Sequence, residues 1–182
     1  DYFSCTTEKE IIEKVNTIKN SFGMVSSQII RPNTESIPCF PNQIVLFKNK
    51  STLLSSENLN LDKIKNNKIL FPEENSEQNK IIQKRLNIAG YGFEDFKHKK
   101  FVSSALINSI VSKSDWLGIN TLNIFEEDIY KEFNILKLDE LYIPYTMFLI
   151  FNRGIHKQLS IHLKKVLELL INLSSKSIDQ FQ

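Results

Sequence analysis

At 182 residues the chain is long enough for one ordinary domain or for two small lobes that share a core. Hydrophobic residues make up 41% of it and charged residues 24%, which gives a real interior under an ordinary soluble surface. Lys and Arg exceed Asp and Glu by only 23 to 21, so the chain lacks the basic face of a nucleic-acid reader, and no run of eighteen apolar residues could span a bilayer.

In chain order, Tyr2–Cys5 reads as a short strand. Thr7 stands three residues before Glu10, the spacing of a capping box, and Ile11, Ile12, Val15 and Ile18 then recur at helical spacing. Phe22–Ser26 reads as the next buried strand, so the chain opens as β-α-β, a connection that favours parallel pairing. A polar, proline-marked link over 28–41 leads to the strand Gln43–Phe47. From Lys48 the texture turns rich in Ser, Asn and Leu, with a helical turn over Leu61–Lys65 and a strand over Lys68–Phe71 closed by Pro72. Ser76–Ala89 reads as a helix with Ile81, Ile82, Arg85, Leu86 and Ile88 inward, ended by Gly90 or Gly92. Lys99–Val102 is a strand, and Ser103 or Ser104 caps a helix holding Leu106, Ile107, Ile110 and Val111. Trp116–Ile119 is a short strand, Glu126–Phe133 a helix with acids in its first turn, and Ile135–Leu138 another strand.

The closing stretch, Tyr142–Leu173, organises the rest. Its first half is a continuous apolar run with the composition of a strand buried on both faces. Its second half sets Leu159, Leu163, Val166, Leu167 and Leu170 on one side of a helix. Alternation of strands and helices along the whole chain argues an α/β fold with mostly parallel pairing, and the change of texture near Lys48 argues a second lobe inserted into the first.

Catalytic constellations are absent from this pattern. His98, His156 and His162 show no metal-ligand spacing, and there is no glycine-rich phosphate loop and no nucleophile elbow. The chain therefore reads as no enzyme, with no cofactor and no metal. Cys5 and Cys39 lie far apart without a CxxC spacing, which fits a reducing compartment, and neither stands near the serine-marked helix as a thiol sensor would need. What the chain does repeat is a hydroxyl where a strand ends and a helix begins: Thr6-Thr7, Ser76 and Ser103-Ser104. In open α/β sheets ligands bind at the carboxyl ends of strands, where helix N-termini offer N–H groups to an anion. A helix cap is the simpler role for each hydroxyl taken alone, and the two roles are compatible.

The order of elements resembles the effector-binding domain of LysR-type transcriptional regulators. EIIEKVNTIKNSFGMVSSQI resembles that family's helix and following strand, QIVLFKNKSTLL its crossing strand, FVSSALINSIVSKSDWLGINTLNIF its serine-marked helix and glycine-bearing segment, and MFLIFNRGIHKQLSIHLKKVLELL its closing strand and helix. Asp115–Gly118 keeps one of the family's two usual glycines, and Phe22-Gly23 stands where an aspartate-bearing pair is usual. The resemblance implies an α/β, two-lobed, type II periplasmic-binding-protein-like domain with two crossing strands as its hinge. The first lobe would be residues 1–47 and 141–182, and the second the inserted residues 48–140. The family's first strand and helix and its helix-turn-helix DNA-binding domain have no counterpart in these residues. The resemblance further implies a small, often anionic, effector between the lobes, a homodimer, DNA contact only through that missing domain, no membrane association and a cytoplasmic location. Carried over by position, Thr6 and Thr7 face the ligand from the first lobe and Ser103 and Ser104 from the second, with Ile119 and Asn120 lining the cleft. An extracytoplasmic solute-binding protein of an ABC-type transporter is the alternative on the same fold.

Overall fold

The computed structural model describes residues 7–18, 21–54, 59–122 and 131–153, together with 161 and 165. The chain divides into two compact units, Asp1–Asn42 with Tyr145–Gln182, and Gln43–Pro144. Both divisions fall inside strands, β2 (Thr34–Asn49) and β7 (Ile143–Asn152), which are the two connections between the units. The change of texture at Lys48 thus marks the end of β2, not the change of unit.

In the first unit α1 (Glu8–Thr17) begins where the capping-box spacing places it. Thr7 is its N-cap, and the Thr7 hydroxyl accepts a hydrogen bond from the Glu10 amide at 3.3 Å. β1 (Phe22–Val25) follows and pairs antiparallel with β7, Met24 opposite Leu149. Ile12 and Val15 from the helix meet Val25 and Ile150 from the strands in a small core, with Ile11, Ile29 and Phe148 packed against it. Gly23 is where helix and sheet come closest, since a Cβ there would overlap the Ile11 side chain. That contact accounts for glycine at this position. Removing the cap through Thr7→Ala is expected to cost about 1 kcal/mol in urea unfolding, with an unchanged dependence on denaturant.

The second unit is built on α2 (Leu61–Ile64), β3 (Lys68–Pro72), α3 (Glu77–Ile88), β4 (His98–Val102), α4 (Ser104–Val111), β5 (Leu117–Thr121) and β6 (Phe133–Leu136). β3 lies between β4 and β5 and is parallel to both, whereas β2 pairs antiparallel with β5 and with β6. The expectation of mostly parallel pairing is therefore corrected. Parallel ladders occur where a helix crosses from strand to strand, and the two long strands that connect the units run against their neighbours. α4 lies against β3 and β5, and α3 against β3. The interior is aliphatic around Ile44, Leu46, Ile69, Leu70, Ile82 and Ile107, with Phe71 at the centre of a ring cluster formed with Phe93, Phe96 and Phe101. Gly118 is set so tightly that a Cβ would stand 2.6 Å from the Phe47 ring and 2.8 Å from Ile107. The Lys48 ammonium, on a side chain buried to 7% exposure, donates to the carbonyls of Thr52 at 2.7 Å and Leu54 at 2.6 Å and so staples the segment that follows β2.

Other sequence expectations shift as well. β2 begins at Thr34, inside the stretch read as a link. Pro38 and Pro41 are accommodated because a fixed φ near −65° suits extended chain, and both precede the residues that pair with β5 and β6. Ile88 and Leu106 turn outward, at 69% and 54% exposure, and the buried stripes run instead through Asn79, Ile82 and Leu86 and through Ile107, Asn108 and Val111. Gly90 ends α3 with φ 84°, a conformation that favours glycine. β6 starts at Phe133, where a helix was expected to end; Lys131 and Glu132 form a tight turn before it, and 126–130 of that expected helix lie outside the described residues. β7 is buried continuously only over Leu149–Phe151, since Pro144 and Thr146 are exposed. Of the closing helix, Ile161 and Lys165 are helical and the remainder lies outside the described residues, as do Tyr2–Cys5, His156 and His162.

Candidate functional site

Because β3, β4 and β5 are parallel, their carboxyl ends share one edge of the second unit's sheet, and α3 and α4 both begin there. Each strand-to-helix junction is braced by a buried asparagine. Asn79, in the first turn of α3, donates to the carbonyl of Pro72, the last residue of β3, at 2.9 Å. Asn120, in β5 and wholly buried, donates to the Ser104 carbonyl at 2.9 Å and to Oδ1 of Asn108 at 3.2 Å, and its own Oδ1 accepts from the Thr121 amide at 2.9 Å. Ser104 then reaches sideways to α3, its hydroxyl donating to Oε1 of Gln78 at 2.6 Å. The first turn of α4 is thereby held from beneath by β5 and from the side by α3.

The two helix N-termini differ electrostatically. α3 is capped by the Ser76 hydroxyl, which accepts from the Asn79 amide at 3.2 Å, and it carries Glu77 in its first turn after Glu73 and Glu74. α4 has no acid in its first turn, and Ser103, which occupies its N-cap position, makes no side-chain cap bond. The positive end of α4's dipole and its first N–H groups are therefore not answered by a side chain of that turn. This is an arrangement that can hold an anion.

The positions carried over from the sequence separate accordingly. Ser103 and Ser104 are half-buried at this edge. Ile119 and Asn120 lie in β5 with no exposed surface; Asn120 faces α4 and spends its carboxamide on it and on Thr121, and Ile119 takes the alternate face of the strand. Thr6 lies outside the described residues. Thr7 belongs to the first unit, where it caps α1. The adjoining Glu8 carboxylate accepts hydrogen bonds from the Ser26 amide, from the Ser26 hydroxyl at 2.8 Å and from the Ser27 hydroxyl at 2.8 Å. That unit also holds a bond from the buried Asn42 amide to the Tyr145 hydroxyl, 2.7 Å long.

Gln78, Asn79 and Asn108 were missed in the sequence. A signal was present: an asparagine interrupts the apolar stripe of each helix, at the spacing of Asn79 with Ile82 and Leu86 and next to Ile107. A polar side chain in a buried stripe implies a hydrogen bond that must be found within the fold. Elsewhere Cys39 is 4% exposed, and burial raises its thiol above the usual range, away from the thiolate a redox sensor uses. On β4 Lys99 is half-buried and Lys100 exposed, with the Lys100 ammonium 5.0 Å from the Trp116 ring, and Lys68 pairs at 3.0 Å with Asp115, whose carboxyl is held down chiefly by that hydrogen bond. Among the described residues no group of three or more His, Cys, Asp and Glu could hold a metal, and no helix is long and apolar enough to cross a membrane.

No protein-family model and no curated protein matches the chain. Solved structures do. The regulatory domain of CcmR from Synechocystis PCC6803, solved in complex with 2-PG, superposes with a TM-score of 0.70 at 13% identity, over 90% of this chain and 80% of that one. The cofactor-binding domain of the Cbl transcriptional regulator gives 0.71 at 18% identity, over 96% of this chain and 76% of that one. Full-length HypT from Salmonella typhimurium, a hypochlorite-specific LysR-type transcriptional regulator, gives 0.68 at 15% identity over 91% of this chain, which spans 57% of HypT's length. The two-lobed, periplasmic-binding-protein-like fold of the effector-binding domains of LysR-type regulators is the fold of this chain.

Proposed function

We propose that this chain is the small-molecule-sensing part of a LysR-type transcriptional regulator. The observation that carries this reading is the seat of α4: an N-terminus without carboxylates, a Ser103 hydroxyl not spent on capping, and a position at the carboxyl edge of three parallel strands. Ser103 and Ser104 contact the effector, and Asn120 acts on it through α4 rather than by touching it, while Ile119, next along the strand, turns to the other face of the sheet. Similar solved structures are regulatory domains, one of them carrying a small molecule, which favours this reading over a solute-binding protein. In the whole regulator a second copy of the chain and a separate DNA-binding domain complete the mechanism. An effector that binds one arrangement of the dimer better than another shifts the population, and DNA contact changes with it.

The test begins with a thermal-shift screen of small acids and amino acids, followed by calorimetry on Ser103→Ala. Because Ser103 makes no cap bond, the variant is expected to keep its unfolding free energy within about 0.5 kcal/mol while losing about tenfold in affinity. Undiminished affinity in that variant would remove α4 as the binding seat.

A further inference from the structure

The chain changes unit just after Asn42 in β2 and just before Tyr145 in β7. Each of these two residues follows a proline, Pro41 or Pro144, and proline has no N–H to give to a ladder. The strands are well anchored on either side of this crossing. β2 pairs with β5 and β6 over residues 44–49, and β7 pairs with β1 over residues 148–151. Residues 41–43 and 143–147 fall outside all three ladders. Pairing that is dense on both sides and thin between them lets two strands bend at the thin point. A side-chain bond stands at that point. Asn42 is buried and donates from Nδ2 to the Tyr145 hydroxyl at 2.7 Å. A bend that parts the two strands leaves this buried carboxamide without that partner. We infer that the crossing is a flexure and that the Asn42–Tyr145 bond is its catch, a conformational device that sets how freely the two units move. A neutral hydrogen bond shifts an equilibrium by about two- to tenfold, enough to tune a motion without freezing it. The catch acts whatever the chain senses and does not rest on α4 as the effector seat.

Pulsed electron spin resonance on the whole chain tests it, with nitroxide labels at Glu13→Cys in α1 and Lys84→Cys in α3, both exposed positions. Cys5→Ser keeps one label in each unit, and Cys39 is buried and escapes labelling. Tyr145→Phe removes one oxygen and is expected to broaden the distribution of distances between the labels. It should also speed amide exchange over residues 42–47 and 145–148 about fivefold. Asn42→Ala should do the same, and the double variant should be no broader than either single one, since each removes the same shared bond. A bond that merely held the fold would lower the urea midpoint on removal and leave the distribution as narrow as in the wild type. That result overturns the inference, as does a broadening in Tyr145→Phe that a folded Asn42→Ala does not reproduce. Where Asn42→Ala fails to fold, Tyr145→Phe alone decides, because phenylalanine keeps the packing of the tyrosine ring.

Discussion

Phe71→Ala is expected to cost about 3–5 kcal/mol of unfolding free energy, a large share of the 5–15 kcal/mol that holds a typical domain together. Phe71 has no exposed surface and sits on β3, the strand flanked by parallel partners on both sides. Its ring meets Phe93 at 5.0 Å and Phe96 at 5.4 Å, edge to face, and Phe101 at 5.8 Å. Truncation loses the transfer free energy of the ring and leaves a void bounded by three aromatic rings, which cannot collapse without moving β4 and the turn at Phe93–Asp95. The urea midpoint should fall while the slope stays constant. Phe93→Ala, at a half-buried member of the same cluster, should cost distinctly less. A loss below about 1 kcal/mol for Phe71→Ala would mean that the ring cluster is not the centre of this unit.

Much of this was legible in the sequence, and the physical reasons are local. Thr7 before Glu10 and Ser76 before Asn79 announce helix starts through their own backbone bonds, which need no distant partner. Short apolar runs such as Ile69–Phe71 and Trp116–Ile119 declare buried strands. Register and direction were harder, because β2 meets β5 and β6, and β1 meets β7, through contacts far apart in the chain. Prolines at 38 and 41 hid the first half of β2, since local reading treats proline as a stop and a long strand can absorb it ahead of the residues that pair with β5 and β6. At the candidate site the serines were visible as hydroxyls at a strand-to-helix junction. Their division of labour was not, because whether Ser104 donates to Gln78, or Asn120 reaches back to α4, depends on side chains brought together only by packing.

Asn120→Leu is expected to cost about 2–5 kcal/mol, although leucine has the same branching and number of side-chain heavy atoms as asparagine and sits in an apolar sheet. The Thr121 amide and Oδ1 of Asn108 are buried and lose the partner that Asn120 provides, and the Ser104 carbonyl loses one of its donors. An unsatisfied buried polar group costs about 1–3 kcal/mol, which outweighs the apolar gain of one side chain in a place already wholly buried. Asn120→Asp separates the two halves of this bracket. It keeps an acceptor for the Thr121 amide but sets a carboxylate against Oδ1 of Asn108 and the Ser104 carbonyl. Burial and facing acceptors raise the carboxyl pKa in the folded state above its unfolded value of about 3.9. Between those two values the native state binds the extra proton, so stability falls as pH rises through the window and recovers on acidification. The wild-type amide does not titrate and should show no such component. Hydrogen exchange at Ser104–Ile107 should quicken in Asn120→Leu, because the first turn of α4 loses its hold on β5. Effector affinity should fall together with stability, unlike Ser103→Ala, where affinity falls and stability stays. If Asn120→Leu were as stable as the wild type with α4 exchange unchanged, the bracket beneath the helix would hold nothing, and the seat of the effector would have to be explained by α3 alone.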